Sequence, residues 1–242
     1  MDYLGRQREV QLETKIRVAI LDDHQIAIDG SLFRLSHSPR IEVIKTAGTW
    51  AEMELFLSKS GVDVLILDVG VPLSEEDPTY YPVRNVIIEL LQKAPEMAIL
   101  VISMYAQRPL IQAVMAAGAS GYLLKDDVNA IRNLAQIVET IAGEDIYYSP
   151  KTLEVLRKRQ GDEVHLTSTE NDILFQIASY PNLTTNALAA MRHIAPSTFR
   201  NHLAAIYVKL GVNNRAGAIE RARQLGILPK DSSPPTYAPA PN

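Results

Sequence analysis

Short apolar runs alternate with longer amphipathic segments through the first 145 residues of the chain. The runs at 17–21, 41–47, 64–67, 98–103 and 121–125 are rich in β-branched residues and leucine. Short apolar runs of this kind are typical of strands buried on both faces of a parallel sheet. The segments after these runs have helical length, and they are 25–36, 49–57, 83–94, 110–117 and 128–142. This alternation predicts a doubly wound α/β domain with a five-stranded parallel sheet.

Polar residues stand at the carboxyl ends of four of these runs. Asp22 and Asp23 follow the first run and Asp68 the third, while Ser103 and Lys125 are the last residues of the fourth and fifth. Because the carboxyl ends of parallel strands meet at one edge of a sheet, we expect these side chains to lie close together. The alternative is that they are unrelated polar groups, with Asp68 only capping the turn that follows it.

The chemistry of this set favours a shared site. Three crowded carboxylates repel one another unless a cation is bound, and oxygen ligands suit Mg²⁺. One carboxylate could then act as a nucleophile toward a phosphoryl group. The hydroxyl and the ammonium group would bind the remaining phosphoryl oxygens.

The second half of the chain has helical patterns only. Thr167 and Glu170 form a capping-box pattern, Thr184 can cap a second helix, and Pro196 suits the first turn of a third. A fourth helix follows Asn214, so we predict a small all-α domain of four helices that fits a helix-turn-helix. We expect the third helix, 196–209, to expose a side that carries Ser197, Thr198, Arg200, Asn201 and Ala204. Arg can read guanine and Asn adenine in a major groove, although a plain solvated face is the alternative.

Composition and charge refine this two-part prediction. The chain has 242 residues and no cysteine, which excludes disulfides and thiol chemistry. Residues 1–150 hold 13 Lys and Arg against 21 Asp and Glu, whereas residues 163–242 hold 7 against 5. An acidic front and a mildly basic back suggest two domains with different partners. We expect no membrane span, a cytoplasmic location, a mobile arm at 1–14 without a signal-peptide core, and a disordered Pro-rich tail at 230–242.

Residues 15–145 resemble the receiver domain of bacterial two-component response regulators. The likeness lies in Asp22-Asp23-His24, Leu67-Asp68, Pro72, Ser103 and the run from Gly121 to Lys125. It implies Asp68 as the phosphoacceptor for a sensor histidine kinase. It also implies Asp22, Asp23, Asp68 and the backbone carbonyl of Gly70 as Mg²⁺ ligands. Ser103 and Tyr122 would be the switch pair, and Lys125 would hold the phosphoryl group.

Residues 164–229, which follow a predicted linker at 146–163, resemble the LuxR-type DNA-binding domain of the NarL/FixJ class. The likeness lies in Leu166-Thr167 with Glu170, in 198–203 and in 209–215. It implies that Arg200 and Asn201 contact bases and that Lys209 contacts phosphate. The active form would be a homodimer on a two-fold operator in double-stranded DNA, joined through the last helix by Ala216, Ile219, Ala222 and Leu225.

The chain departs from both family patterns. The loop after Asp68 is longer than usual and carries Glu75, Glu76 and Asp77, so it is either a tolerated surface insertion or a modified lid. In the second domain, His193 stands where the family usually has Gly, and a positive φ there would cost on the order of 1 kcal/mol. Asn186 and Ala187 replace a usual Lys-Glu pair, which removes one expected phosphate contact.

The favoured function is therefore a transcription regulator switched by Mg²⁺-dependent phosphorylation, and not an enzyme. One alternative is a stand-alone phosphoryl-transfer enzyme. It is disfavoured because Asp68 is followed by Val69-Gly70 rather than the Asp-x-Asp loop of haloacid-dehalogenase-like phosphatases, and because no Walker glycine loop is present. The other alternative is an atypical receiver that is not phosphorylated and acts as a dimerisation or ligand-sensing module.

Overall fold

The structure, a computed structural model, describes residues 15–79, 82–157 and 164–228. The predicted arm at 1–14 and the predicted tail at 230–242 lie outside the described residues, as do parts of the loop after Asp68 and of the predicted linker. No helix in the described ranges combines the length and apolar character needed to cross a bilayer.

A parallel sheet forms the centre of the first part of the chain. Its strands are β1 (Ile16–Leu21), β2 (Ile41–Ala47), β3 (Val64–Leu67), β4 (Ala98–Ser103), β5 (Gly121–Leu124) and β6 (Tyr147–Tyr148). Their order across the sheet is β2-β1-β3-β4-β5-β6, and every neighbouring pair is parallel. The reversal of order beside β1 is that of a doubly wound sheet, with ligand sites at the carboxyl ends of its strands.

The prediction of five strands was wrong by one. Tyr147 pairs with Gly121 and Tyr148 with Tyr122, which extends the sheet by a two-residue strand. A strand this short has no detectable periodicity, and it lies in the segment that was predicted as a linker. Helix α7 (Pro150–Arg157) makes up most of the rest of that segment, as far as it is described.

Helices cover both faces of the sheet, as expected when both faces of its strands are apolar. They are α1 (Gln25–Leu35), α2 (Trp50–Leu57), α3 (Val83–Lys93), α4 (Arg108–Ala116), α5 (Val128–Arg132) and α6 (Leu134–Ala142). One core joins α1, α5 and α6 to the sheet, and the other joins α2, α3 and α4. The single helix predicted at 128–142 is divided at Asn133, whose amide bonds back to Asn129 and Ala130.

The described part of the second half contains four helices. They are α8 (Ser168–Ser179), α9 (Thr185–Met191), α10 (Pro196–Leu210) and α11 (Arg215–Gln224). The predicted capping box is confirmed, since Thr167 accepts the amide of Glu170 while Glu170 accepts the amide of Thr167 at 2.7 Å. His193 has φ 55°, so this position adopts the left-handed conformation that favours glycine.

The helical part, residues 164–228, packs against the α/β part rather than standing apart from it. Helix α10 contacts both α4 and α7, and α7 contacts β5. The core on the α2–α4 side of the sheet continues through Leu156 of α7 into Leu203 and Ile206 of α10. The two parts therefore share one apolar core, and the third helix of the second half is held against the first half.

Candidate functional site

Three carboxylates and a lysine meet at the carboxyl edge of the sheet, as the strand pattern predicts. Asp22 follows β1, Asp68 follows β3 and Lys125 follows β5, and the two aspartates are buried. Lys125 Nζ lies 2.7 Å from Asp22 Oδ2 and 3.3 Å from Asp68 Oδ2. Asp23, at the same edge, is more exposed. The structure therefore joins side chains that are 46 to 103 positions apart in sequence into one charged cluster.

The charges in this cluster shift one another's protonation. Burial raises the pKa of Asp68, and the negative charge of Asp22 raises it further, while Lys125 and the Val69 amide act against this rise. Burial by itself lowers the pKa of Lys125, but Asp22 and Asp68 outweigh it and the net shift is upward. The lysine is thus firmly cationic, and Asp68 is a carboxylate whose ionised form is costly without a further cation.

The donor set fits a divalent cation. Single ligand atoms from Asp22, Asp23, His24 and Asp68 all lie within 4.8 Å of one another. Gly70 approaches closely as well, because a Cβ on it would stand 3.9 Å from Asp68 Oδ2. His24 was not predicted as a site residue, although its place beside the acid pair was visible in the sequence. Its Nδ1 lies 2.7 Å from Asp23 Oδ1, and its side chain is largely exposed.

The loop after Asp68 folds on itself beside α2. The carbonyls of Pro72 and Leu73 accept the amides of Trp50 and Ala51, at the first turn of α2. Asp77 accepts the amide and the hydroxyl of Thr79, and these bonds lower the pKa of its carboxyl group. These bonds hold the described part of the loop to the first turn of α2.

The predicted switch pair is in an inward arrangement. Ser103 and Tyr122 are both fully buried, and the Tyr122 hydroxyl donates to the Tyr105 carbonyl at 2.7 Å. Burial raises the pKa of Tyr122 to about 12. Tyr105 is exposed beside this pair, whereas Met115 of α4 is buried in the core together with Tyr122.

The predicted DNA-contacting residues do not share one free surface. Thr198 and Asn201 are exposed and Ser197 is half-buried, whereas Arg200 and Ala204 are each only 7% exposed. Three of the residues predicted on α10, together with two neighbours, line a cavity of about 300 Å³ against Ile111 and Met115 of α4, namely Asn201, Ala204, Ala205, Val208 and Lys209. This face of α10 is turned toward the α/β part, so it is not open to a ligand of the size of DNA.

Two further predicted contacts need correction. Lys209, expected to face phosphate, instead binds Glu170 with Nζ at 2.8 and 2.6 Å from the two carboxylate oxygens. Ala222, expected at a dimer interface, is fully buried in the helical core, because it lies on the side of α11 that faces the other helices. Of the other three residues predicted there, Ala216 and Leu225 are exposed and Ile219 is half-buried.

The chain is similar over most of its length to curated bacterial transcriptional regulators. It is 31% identical to the transcriptional regulatory protein MctR of Rhizobium johnstonii, over 89% of this chain and 97% of that protein. It is 27% identical to the probable transcriptional regulatory protein NarL of Mycobacterium tuberculosis, over 88% of this chain and 96% of that protein. No protein-family model matches the chain.

Solved structures of the response regulator RcsB from Salmonella have the same fold. RcsB bound to a promoter in the presence of a phosphomimetic is 19% identical, with a TM-score of 0.54 over 88% of this chain and 100% of RcsB. The isolated REC domain of RcsB matches 59% of this chain with a TM-score of 0.53 at 20% identity. At this level of identity the likeness is one of fold, and it extends across both the sheet and the helices that follow it.

Proposed function

The chain belongs to the NarL/FixJ family of two-component response regulators, and from that premise we propose that it is a DNA-binding transcription regulator switched by phosphorylation of Asp68. The observation that carries the proposal is the bridge that Lys125 Nζ makes between Asp22 and Asp68 at the edge of the sheet. The bridge joins strand ends that are distant in sequence. It therefore argues against the alternative that these polar side chains are unrelated. The curated relatives are transcriptional regulators rather than enzymes.

Asp68 is the proposed nucleophile in the phosphoryl transfer. One of its carboxylate oxygens attacks the phosphorus of a phosphohistidine on a sensor kinase, and the P–N bond breaks as the new P–O bond forms. The imidazole keeps the electron pair of the broken bond and takes up a proton. Lys125 stands beside the reacting carboxylate, where its charge can stabilise the oxygens of the incoming group. Ser103, the last residue of β4, is the proposed hydroxyl partner of the same oxygens.

Mg²⁺ is the proposed cofactor, since the site gathers carboxylate oxygens around one point. Asp22, Asp23, Asp68 and the carbonyl of Gly70 would hold it. When bound, the metal ion would neutralise charge that gathers on the phosphoryl oxygens. In the structure, Lys125 supplies positive charge to two of these carboxylates, Asp22 and Asp68.

The proposed partner of the helical part is double-stranded DNA. Helix α10 would enter the major groove with Arg200 and Asn201 toward bases, and Ser197, Thr198 and Ala204 beside them. Two copies would bind paired half-sites, joined through Ala216, Ile219 and Leu225 of α11. The same proposal divides the chain into a receiver at 15–145 and a DNA-binding domain at 164–229. Because the proposed target is bacterial DNA, the proposed location is the cytoplasm.

The packing of α10 against α4 supports a resting state in which the receiver blocks DNA binding. Asn201 Nδ2 donates to the Ala116 carbonyl at 3.5 Å, and Arg200 is buried. Phosphorylation would have to separate these surfaces before α10 could enter a groove. A bias of a few kcal/mol is enough, because a swing from 1:99 to 99:1 needs only about 5.5 kcal/mol.

Intact-mass spectrometry after incubation with Mg²⁺ and a small acyl-phosphate donor tests this function. The wild-type chain should gain one phosphoryl group, which base removes more easily than acid. Asp68→Asn should gain none, and omission of Mg²⁺ should slow the gain in the wild type. Uptake by Asp68→Asn would show that the nucleophile is misassigned. An unmodified wild type would favour the alternative, a receiver that acts only in dimerisation or ligand sensing.

A further inference from the structure

A strained residue lies where the α/β part meets the helical part. Glu144 follows Gly143 at the end of α6 and has φ 63°. A residue with a Cβ is strained in this left-handed conformation, because its Cβ crowds the backbone. Such strain persists only where the surrounding structure enforces it, and it often marks a functional position. The neighbours of Glu144 therefore indicate what the strain maintains.

Glu144 binds the first turn of α9 through both its backbone and its side chain. Its carbonyl accepts the hydroxyl of Thr185. Its carboxylate accepts the Asn186 amide at 2.9 Å and the Asn186 side-chain Nδ2 at 3.0 Å. The same Nδ2 donates to Glu96 at 2.6 Å, so Asn186 lies between two carboxylates of the α/β part. Asn186 is one of the positions at which the sequence departs from the usual Lys-Glu pair.

The next residue extends this contact to the other two helices at the junction. Asp145 accepts the hydroxyl of Tyr207 on α10 at 2.8 Å and the amide of Arg215 on α11 at 3.2 Å. Two successive acids at the end of α6 thus bind α9, α10 and α11. These contacts exceed those needed to end α6.

Arg200, the residue proposed to read bases, points into the same acidic region. It lines a cavity of about 450 Å³ together with Glu96, Glu144 and Asn186. Its Nε has no hydrogen-bond partner among the described residues. Burial lowers the pKa of its guanidinium, and the charges of Glu144 and Glu96 partly restore it. Carboxylates of the receiver thus supply part of the negative field that DNA would supply.

We propose that Glu144, assisted by Glu96, is the latch that keeps the DNA-binding helices closed on the receiver, by binding Asn186 and by facing Arg200. The cavity beside it is lined by residues near the amino ends of the strands, such as Arg17, Ala98 and Ser120. The latch therefore lies at the edge of the sheet opposite Asp68, and changes in it leave the phosphorylation site intact. This inference rests on the proposed function, because it names the contact that phosphorylation has to break.

Two substitutions test the latch from its two sides. Glu144→Gln removes the charge and keeps the side-chain length, and Asn186→Asp places a third carboxylate between Glu144 and Glu96. Glu139→Gln is the matched control, since Glu139 is an acid on α6 that binds Ser38 and Arg40 of the α/β part instead. All three are made in the full chain, and intact mass checks that each still takes up a phosphoryl group.

The first readout is the distance between the two parts. The chain has no cysteine, so Lys59→Cys and Glu220→Cys introduce two unique sites for spin labels on exposed residues of the two parts. Without phosphorylation, both latch variants should broaden and lengthen the distance distribution, and the control should match the wild type. Unchanged distributions in both latch variants would overturn the proposal.

The second readout is the affinity of the unphosphorylated chain for DNA that the phosphorylated wild type selects from a random pool. Each latch variant should bind this DNA roughly fivefold or more tightly than the wild type, as a coupling of ordinary size predicts. If the parts separate in the latch variants but no form of the chain, phosphorylated or not, binds DNA, the proposed DNA function fails. The contact of Glu144 with Asn186 would then still be what holds the two parts together. If the parts separate and only the phosphorylated wild type gains affinity, the latch is not what restrains DNA binding.

Discussion

The hydroxyl of Thr152 donates a hydrogen bond of 3.2 Å to the carbonyl oxygen of Tyr122. The amide of Ser149 donates to the same oxygen at 3.1 Å, and Thr152 is fully buried. Tyr122 is the proposed switch residue on β5, whereas Thr152 belongs to α7, which packs on α10. The backbone of the switch residue is therefore bonded to the helix that touches the proposed recognition helix.

A second bond holds the same helix to the loop beyond Lys125. The carboxylate of Asp127 accepts the Ala130 amide at 3.3 Å and the Lys151 amide at 3.1 Å. The loop between Lys125 and Asp127 thus has the proposed phosphoryl-binding lysine at one end, and a bond to the first turn of α7 at the other. This arrangement connects the carboxyl end of β5 to α7, which in turn contacts α10.

Thr152→Val should weaken the coupling between phosphorylation and DNA binding. Valine keeps the shape of threonine but cannot donate to Tyr122, so movement of β5 would pass less completely to α7. In the wild type, a coupling of ordinary size changes DNA affinity about 5- to 150-fold. We expect this ratio to fall toward one in Thr152→Val, measured by fluorescence anisotropy with and without acyl phosphate.

Thr140→Val is the control for this change, because the Thr140 hydroxyl binds the Gln136 carbonyl within α6. It should keep the wild-type ratio. A wild-type ratio in Thr152→Val as well would mean that the signal reaches α10 by another route.

Asp68→Asn should stabilise the chain at neutral pH when Mg²⁺ is absent. The folded-state pKa of Asp68 is raised above its unfolded value, mainly by burial, so its ionisation costs folding free energy as pH rises through the raised pKa. Asparagine removes that cost while Lys125 keeps its contact with Asp22. Urea titrations at several pH values should show a gain for the variant that grows with pH, and saturating Mg²⁺ should reduce the gain. A variant less stable than the wild type without Mg²⁺ would contradict this.

Lys209→Met should lower the stability of the chain. Lys209 binds Glu170, which is only 5% exposed, so the variant leaves a buried carboxylate without its cation. Loss of a hydrogen bond to a charged group costs about 1.5–3 kcal/mol. The double variant Lys209→Met with Glu170→Gln should recover most of the lost stability, because no unpaired charge is left. Denaturant titrations of the four proteins measure this, and full additivity of the two single changes would show that the pair does not interact.

The same pair predicts a pH dependence. Burial by itself raises the pKa of Glu170, but Lys209 and Thr167 outweigh it and the net shift is downward from 4.5. A depressed folded-state pKa contributes stability above the unfolded value, and this contribution is lost as pH falls through the folded one. Glu170→Gln should therefore lose less stability than the wild type on acidification below about pH 4.5. Parallel curves for the two proteins would argue against the pairing.

Arg200→Ala and Asn201→Ala should relax sequence preference once the chain is phosphorylated. Each lost bidentate base contact removes about 1–3 kcal/mol of discrimination. Selection from a random DNA pool, followed by titration of matched and mismatched sites, measures the change. Thr198→Ala, on the same helix, offers a comparison with a residue that makes no bidentate contact. An unchanged preference in Arg200→Ala would mean that α10 is not the reading helix.

Local patterns in the sequence predict much of this structure. The apolar runs locate β1 to β5, the strand-end rule brings Asp22, Asp68 and Lys125 together, and the capping box begins α8 at the expected residue. These features depend on neighbours within a few positions or on a general rule of sheet topology. The dimer role of Ala222 came from the family resemblance alone, and the burial of its side chain among the other helices keeps it from that surface.

The contacts between the two halves could not be predicted in this way. The bonds from Glu144 to α9 join residues 41 and 42 positions apart, and the Tyr122–Thr152 bond depends on a two-residue strand without periodicity. Arg200 is of a residue type that commonly contacts DNA, whereas its burial against the receiver follows only from tertiary packing. Local sequence thus specifies the parts and their chemistry, whereas the closed arrangement depends on long-range packing.

The central claim is that a phosphoryl group on Asp68 turns a closed, weakly binding chain into a DNA-binding one. Fluorescence anisotropy of one labelled DNA fragment, titrated with the full chain before and after treatment with Mg²⁺ and acyl phosphate, tests it most directly. We expect treated wild type to bind at least about fivefold more tightly than untreated wild type, and treated Asp68→Asn to bind like untreated wild type. Equal affinity of the treated and untreated wild type, with phosphoryl uptake confirmed by mass, would contradict the claim.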